Sequence, residues 1–156
     1  MSRTAQPVAR WAVATTFLLS LIGLGISIYL TITHFRPMLL VCSSTGTIDC
    51  AAVTTSAQSY LLGIPVAILG LGNFVVLCVL NSPWGWRATY YWIHVTRFLF
   101  VVADMIFVLW LLAAELLIID HICLWCTGVH VVTFALLIVL SRVSPTQLGW
   151  SRSGAQ

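Results

Sequence analysis

The sequence predicts an all-α membrane protein, a bundle of four transmembrane helices with a short interfacial helix in its first outer loop. Of the 156 residues, 60% are apolar and only 7% are charged, whereas about 25% charge is usual for a soluble domain. A stretch of roughly 17–25 apolar residues spans the hydrocarbon core as a helix. Four such stretches occur, at about 11–33, 60–80, 95–119 and 123–141. They predict one transmembrane domain over 1–146 and a flexible cytoplasmic tail over 147–156.

Helix is the conformation expected for each stretch, because none shows strand-like alternation and lipid offers backbone groups no partners outside the chain. The first stretch is too long for the apolar region of a signal peptide, and no small-residue cleavage motif follows it. We therefore expect it to be retained, with the lipid bilayer as its surroundings. Seven scattered arginines and no lysine form no basic stripe, so binding to nucleic acid is not expected.

The arginines orient the bundle, since cytoplasmic loops carry an excess of positive residues. Six of the seven flank one side of the predicted bundle: Arg3, Arg10, Arg87, Arg97, Arg142 and Arg152. Only Arg36 lies on the other side. The pattern predicts that both termini are cytoplasmic and that loop 34–59 and the tight turn 120–122 lie outside.

Four of the five cysteines fall on this outer side, namely Cys42, Cys50, Cys123 and Cys126, where disulfides persist if the compartment is oxidising. The last two form a C-x-x-C motif at the start of the fourth helix. Unpaired backbone N–H groups and the positive end of the helix dipole lower thiol pKa values at such a position. That pair suits electron transfer. Cys78, near the inner end of the second helix, is interpreted as an apolar packing residue.

Cys42 and Cys50 enclose a small, polar, proline-free interval over 43–49, which predicts a loop that is able to move. Asp49 is placed to cap the interfacial helix expected over 51–60, and Asp120 is placed to cap the fourth helix.

Three interpretations of the four cysteines are open. In the first, two disulfide-forming pairs relay electrons in the membrane. In the second, the four thiols hold a zinc ion, although the first pair lacks the C-x₂₋₄-C spacing of a zinc knuckle. In the third, the disulfides are passive cross-links in a structural four-helix membrane protein. Bound zinc would favour the second interpretation, and a cysteine state that never changes with redox conditions would favour the third.

The ordered combination of motifs resembles the bacterial homologues of vitamin K epoxide reductase. The resemblance rests on Cys42 and Cys50 with seven residues between them, on Ser56, on Gly-Ile-Pro-Val-Ala at 63–67, and on the C-x-x-C at the outer end of the last helix. The unrelated quinone-linked oxidases of the Dsb type carry the C-x-x-C in the first outer loop instead, so the order here favours the vitamin K reductase family.

The resemblance implies a thiol–quinone oxidoreductase of the inner (cytoplasmic) membrane. Electrons pass from a thioredoxin-like (DsbA-like) protein outside to Cys42 and Cys50, then to Cys123 and Cys126, and finally to menaquinone or ubiquinone. Cys42 would exchange with the partner, Cys50 would attack Cys123, and Cys126 would face the quinone ring near Ser56. Because no thioredoxin-like domain follows the fourth helix, the partner is expected to be a separate protein.

His130 lies one turn beyond Cys126 on the same helix face, so it either hydrogen-bonds a quinone oxygen or packs between helices. The vertebrate enzymes of the family have a tyrosine at this position and an asparagine where Gly63 stands. Those two side chains bond the quinone oxygens there, so reduction of vitamin K epoxide is not part of the expectation.

Other ionisable residues in the apolar stretches are candidates for function. Glu115, near the outer end of the third helix, either feeds protons to the site or extends to the membrane interface. Asp104 and Asn73 lie at similar depths and are expected to hydrogen-bond to each other, with Arg97 as the competing partner of Asp104.

Overall fold

The computed structural model describes residues 8–42, 45–88 and 90–148. Its helices are α1 (Arg10–Phe35), α2 (Cys50–Thr54), α3 (Val66–Asn81), α4 (Pro83–Arg87), α5 (Tyr91–Ala114) and α6 (Leu124–Leu148). Two 3-10 turns (Pro37–Leu39 and Ala57–Ser59), a π-helical turn (Glu115–Ile119) and a hairpin of β1 (Tyr60–Leu61) and β2 (Ile64–Pro65) connect them. Helix α6 includes the first two residues of the predicted tail; the rest of that tail, with Arg152, and the N-terminal Arg3 lie outside the described residues.

The predicted membrane bundle is confirmed. Three apolar helices, Arg10–Phe35, Tyr91–Ile119 and Leu124–Pro145, are each long enough to cross a bilayer. The fourth, α3, has 16 residues and is about 24 Å long at ~1.5 Å per residue, somewhat short of the ~30 Å hydrocarbon core. Helix α1 packs against α3 and α6, and α6 packs against α5, whereas α3 and α5 contact each other much less.

The helices define two ends of the bundle. We call the end that carries Cys42, Cys50, Cys123 and Cys126 the cysteine end, and the opposite end, which carries Arg10, Arg87, Arg97 and Arg142, the arginine end. Between them lies a core of aliphatic and aromatic side chains: Phe74, Leu77, Trp86, Val101, Val132, Leu136 and Leu140. Gly23 of α1 makes room for the ring of Phe74, since a Cβ at this position would overlap it.

The second predicted helix begins six residues later than expected, because 60–65 form a hairpin. Leu62 and Gly63 have φ values of 52° and 81°, and positive φ at both central residues is typical of a type I′ hairpin turn. Pro65 then occupies the N-cap of α3. A proline disfavours helical conformation in the residue before it, so the helix begins at Val66.

The interfacial helix is also shorter than the predicted 51–60. Asp49 caps it as expected, accepting a hydrogen bond from the Ala52 amide at 3.0 Å, but α2 ends at Thr54. The hydroxyl of Thr55 donates to the Ala51 carbonyl at 2.7 Å and that of Ser56 donates to the Val53 carbonyl at 2.8 Å. Such side-chain bonds compete with the backbone bonds that would extend a helix.

Asp104 and Asn73 lie close together as expected, but the side chain that hydrogen-bonds to Asp104 is Thr133. Asp104 accepts its hydrogen bond from Thr133 of α6 at 3.1 Å. Asn73 is near enough to interact with Asp104, yet its Nδ2 atom makes no hydrogen bond. Arg97 is not the partner either, because it donates to the Leu80 carbonyl at the arginine end.

Candidate active site

A disulfide joins Cys42 to Cys50, with Cα atoms 6.1 Å apart. Cys50 is the first residue of α2 and is 1% exposed, while Cys42 is half-buried. Residues 43 and 44, part of the loop predicted to be mobile, lie outside the described residues. The first cysteine pair is therefore covalently linked, with one sulfur buried and the other nearer the surface.

The loop that carries this disulfide is joined by backbone hydrogen bonds to the turn before α6. Ile48 and Ile122 form a parallel bridge, in which the Asp49 amide donates to the Ile122 carbonyl at 3.2 Å and the Ile122 amide donates to the Thr47 carbonyl at 2.9 Å. Cys50 lies two residues after Ile48 and Cys123 one residue after Ile122. The two cysteines share one buried cluster with Val53. The bridge thus brings the two cysteine pairs together.

Two aromatic side chains hold the chain that leads to Cys42. The Tyr29 hydroxyl accepts a hydrogen bond from the Val41 amide at 2.7 Å, and the Trp125 indole donates to the Val41 carbonyl at 3.0 Å. The two rings lie 4.5 Å apart. Sequence reasoning missed this anchor; the position of Trp125 between the two cysteines of the C-x-x-C is the signal that was available for it.

Cys123 and Cys126 are free thiols whose sulfur atoms lie 2.7 Å apart. Cys123 also caps α6, because its sulfur accepts a hydrogen bond from the Cys126 amide at 3.3 Å. The prediction that Asp120 caps this helix is wrong; Asp120 adopts a left-handed conformation with φ 56°. The hydrogen bond from the Cys126 thiol lowers the pKa of Cys123 below its ordinary value, although burial opposes the shift.

A cavity of about 560 Å³ opens beside this pair, mainly between α3 and α5, where these helices pack weakly. Its walls are largely apolar, and α2 and the 3-10 turn Ala57–Ser59 contribute to its boundary at the cysteine end. Of the four cysteines at this end, Cys126 lines the cavity. Cys126 therefore contacts Cys123 on one side and the cavity on the other.

The two residues predicted to bind a cofactor, Ser56 and His130, both line this cavity. Ser56 donates its hydroxyl hydrogen to the Val53 carbonyl, which leaves its oxygen lone pairs as acceptors. His130 is 8% exposed, and its Nδ1 atom has no hydrogen-bond partner.

Two further buried polar atoms that line the cavity lack a hydrogen bond, Asn73 Nδ2 and Glu115 Oε2. Buried polar atoms are nearly always paired in folded proteins, so a group of unpaired ones calls for an explanation such as a ligand. Sequence reasoning offered Glu115 as a residue that feeds protons to the site or extends to the membrane interface; the structure buries its side chain at 3% exposure. It did not place Glu115 or Asn73 beside the C-x-x-C.

Among the described residues, no group of three or more histidine, cysteine, aspartate or glutamate side chains is arranged to hold a metal ion. Two of the four thiols that the zinc interpretation needs are joined in the Cys42–Cys50 disulfide.

In a comparison with known families, the model of the Vitamin K epoxide reductase family matches residues 14–141. No curated protein matches the chain.

Proposed function

Because the chain belongs to the vitamin K epoxide reductase family and is thereby a membrane oxidoreductase, we propose that it re-oxidises a thioredoxin-like protein and passes the electrons to a membrane quinone. The loop pair Cys42–Cys50 receives electrons from the partner. The helix pair Cys123–Cys126 receives them from the loop pair and delivers them to the quinone. The observation that carries the proposal is that Cys126 lies in contact with Cys123 and in the cavity wall at once.

The step between the pairs is a thiol–disulfide exchange. A thiolate attacks one sulfur of a disulfide and expels the other, which gives a mixed disulfide on the way. When the loop pair is reduced and the helix pair is oxidised, the Cys50 thiolate attacks Cys123 and expels Cys126. The buried cluster shared by Cys50 and Cys123 supports this order, because it places the attacking sulfur next to the sulfur that is attacked.

The cavity fits a quinone ring in size and in chemistry. Its volume of about 560 Å³ lies within the range of roughly 300–1,000 Å³ usual for small-molecule sites, which are mostly apolar with a few polar groups that orient the ligand. Such polar groups are available here as the unpaired Nδ1 of His130 and Nδ2 of Asn73. A quinone bound there would supply the acceptor for two electrons and two protons. His130 would donate a hydrogen bond to one of its oxygens and orient it toward Cys126, and Ser56 would contact it from the cavity wall.

The proposal also includes the orientation of the bundle in the membrane and the sulfur at which the thioredoxin-like protein exchanges electrons. The distribution of the arginines supports cytoplasmic termini and a cysteine end on the outer side of the inner membrane. The half-buried Cys42 is the sulfur of the loop pair that a separate thioredoxin-like protein would attack.

The decisive experiment supplies purified protein with a reduced thioredoxin-like dithiol protein and a soluble quinone, and follows quinone absorbance. We expect quinone reduction that needs both substrates and is lost in Cys42→Ser, whereas Cys78→Ser keeps it. Quinone reduction that does not depend on Cys42, or none at all with any dithiol protein, would overturn the proposal.

A second experiment tests the orientation. After reduction, a thiol reagent that cannot cross the membrane should label the cysteine-end thiols when it is added to the outer side of intact cells. Labelling of Cys123 only from the cytoplasmic side would reject the orientation, and with it the exchange with an outer partner.

A further inference from the structure

Glu115 is the buried acid nearest the helix pair. It is 3% exposed, and its carboxyl group interacts with the Cys126 thiol and with the backbone of Cys123. Its Oε2 atom has no hydrogen-bond partner and the residue lines the cavity. A purely structural carboxyl group in an apolar bundle would be expected to have its oxygens paired, because an unpaired buried acceptor is costly.

Glu115 begins the π-helical turn Glu115–Ile119 that follows α5. Single π turns inside α-helices are rare and occur frequently at functional sites. Glu115 is buried, as is Ala114 directly before the turn, whereas Leu116, Leu117 and Ile118 of the turn are exposed. The departure from α-helical geometry therefore coincides with the residue whose carboxyl group lies at the cysteine pair.

Oxidation of this pair releases protons that need an acceptor. As the Cys123–Cys126 bond forms, two thiols lose two electrons and two protons, and the quinone takes up both electrons and two protons to become a quinol. The Cys126 thiol donates its hydrogen to the sulfur of Cys123, so Cys126 holds a proton that it must lose before the disulfide can close. The cavity walls are largely apolar, so the direct acceptor for this proton is a side chain that interacts with the thiol.

We propose that the Glu115 carboxylate accepts the Cys126 proton and then delivers it to an oxygen of the acceptor in the cavity. The second proton of the quinol comes from the aqueous side at the cysteine end, which has taken up the proton of Cys123. This inference rests on the proposed quinone chemistry and assigns to Glu115 a role that a packing residue would not have.

Several other groups share the surroundings of Glu115 and bear on any pH dependence. The titratable residues that line the cavity or contact the carboxyl group from α1, α5 and α6 are His34, Asp104, Cys123, Cys126 and His130. Cys50 of α2 is in a disulfide. Since these groups are the same in a Glu115 variant and its parent, the difference between the two proteins isolates Glu115.

The first test measures quinone reduction by Glu115→Gln and Glu115→Asp. General acid–base catalysis is typically worth about 10²–10⁴-fold, so we expect kcat to fall by roughly 100-fold or more in Glu115→Gln with little change in the KM for quinone. Glu115→Asp keeps a carboxyl group and should restore part of the rate. The matched control is Asp120→Asn, which removes an exposed acid of the same segment and should leave kcat unchanged.

The second test needs neither quinone nor a protein partner. In a reduced Cys123→Ser background, N-ethylmaleimide alkylates Cys126, and mass spectrometry gives the rate between pH 7 and 9. If Glu115 takes the thiol proton, the two groups share one proton and the rate becomes nearly independent of pH once the carboxylate has formed. In Glu115→Gln the proton must leave to water, so the rate should rise about tenfold per pH unit, as for an ordinary thiol.

The two tests separate the inference from the function on which it rests. Parallel pH profiles of alkylation with and without Glu115 would overturn the role of Glu115 even if quinone reduction is robust. A low kcat in Glu115→Asp equal to that of Glu115→Gln would also count against it. Failure of the unmodified protein to reduce any quinone would instead overturn the proposed function, whatever the alkylation profiles show.

Discussion

The two ends of the bundle treat buried polar side chains in opposite ways. At the arginine end they bind the helices to one another: Trp86 donates to Thr16 at 3.2 Å, and Asn81 donates to Ser20 at 2.9 Å. Arg97 is 2% exposed, donates to the Leu80 carbonyl at 3.0 Å and lies 3.7 Å from the centre of a Trp86 ring. The Asn81 Oδ1 atom is the exception there, since it has no partner.

At the cysteine end, in contrast, one polar atom each of Asn73, Glu115 and His130 is left unpaired beside a cavity. Both ends are built in the same apolar surroundings, where an unpaired polar group is costly. The arginine end uses its polar groups for stability, whereas the unpaired atoms at the cysteine end are the ones to which we assign, as proposals, a ligand and proton transfer.

The largest expected effect breaks the cysteine end. Cys126→Ser removes the sulfur that lines the cavity, so quinone reduction should be lost completely. Cys123 then has no partner in its own pair and attacks Cys50, which releases Cys42 and leaves a Cys50–Cys123 disulfide. Peptide mapping under non-reducing conditions should show this cross-link between the first loop and α6.

Cys42→Ser should accumulate the same bond, because it removes the other resolving thiol, and Cys78→Ser should not. If both resolving-thiol variants contain only free thiols, or if the Cys42–Cys50 bond persists unchanged in Cys126→Ser during turnover, the relay is wrong.

The next effect breaks the arginine end. Arg97→Met removes a cation over the Trp86 ring and leaves the Leu80 carbonyl and His94 without their donor, which together cost about 3 kcal/mol. We expect the free energy of unfolding in detergent to fall by that amount while Cys50–Cys123 cross-linking per folded molecule is unchanged. Arg87→Met, at an exposed position, is the control and should not alter stability. Loss of cross-linking in folded Arg97→Met would show that the two ends are not separable.

A smaller effect sharpens the role of the hydrogen bond to Cys123. Serine at position 126 keeps an O–H donor and alanine does not, so the pKa of Cys123 is lowered less in Cys126→Ala. Its thiolate then forms only at higher pH, and at pH 7 the Cys50–Cys123 cross-link should form roughly tenfold more slowly than in Cys126→Ser, since a bond to a charged group is worth about 1.5 kcal/mol or more.

At a pH high enough to ionise Cys123 in both variants, the two rates should converge. The two rates of cross-link formation are measured by quenched-flow trapping of the Cys50–Cys123 disulfide, followed by gel electrophoresis or mass spectrometry. Equal rates at pH 7 would mean that the Cys126 side chain does not stabilise the Cys123 thiolate.

The smallest effect compares two histidines. His130→Ala removes one hydrogen bond to the quinone, worth about 1–1.5 kcal/mol, so quinone turnover should slow about tenfold or less while thiol exchange with Cys42–Cys50 is unchanged. His94→Ala at the arginine end removes bonds to Ala88 and Arg97 and should lower stability without changing quinone kinetics. Unchanged quinone kinetics in His130→Ala would return His130 to the packing interpretation.

The amino-acid sequence predicts many features of the cysteine end, but not the contacts that depend on the tertiary structure. The two cysteine pairs, Asp49 as a helix cap and the position of His130 one turn beyond Cys126 follow from spacing along the chain, whereas Ser56 was identified from the resemblance to the family. The cap of α6 was mispredicted and the hydrogen bond from Thr133 to Asp104 was missed, because both depend on distances between side chains in three dimensions. The hairpin at 60–65 was missed although its glycine and proline are visible in the sequence, since the apolar composition favoured a helix.

The membrane helices and their approximate ends follow from the sequence alone, because long apolar stretches in lipid must satisfy their backbone hydrogen bonds locally and helix is the way to do so. The location of the cysteines at one end follows from the same helices. Only the tertiary structure decides that Cys50 and Cys123 meet, that Cys126 lines a cavity and that Glu115 lies beside it with a free oxygen. Those features arise from contacts between residues far apart in the chain, such as the Ile48–Ile122 bridge, and from the weak packing of α3 against α5, which local hydrophobicity does not encode.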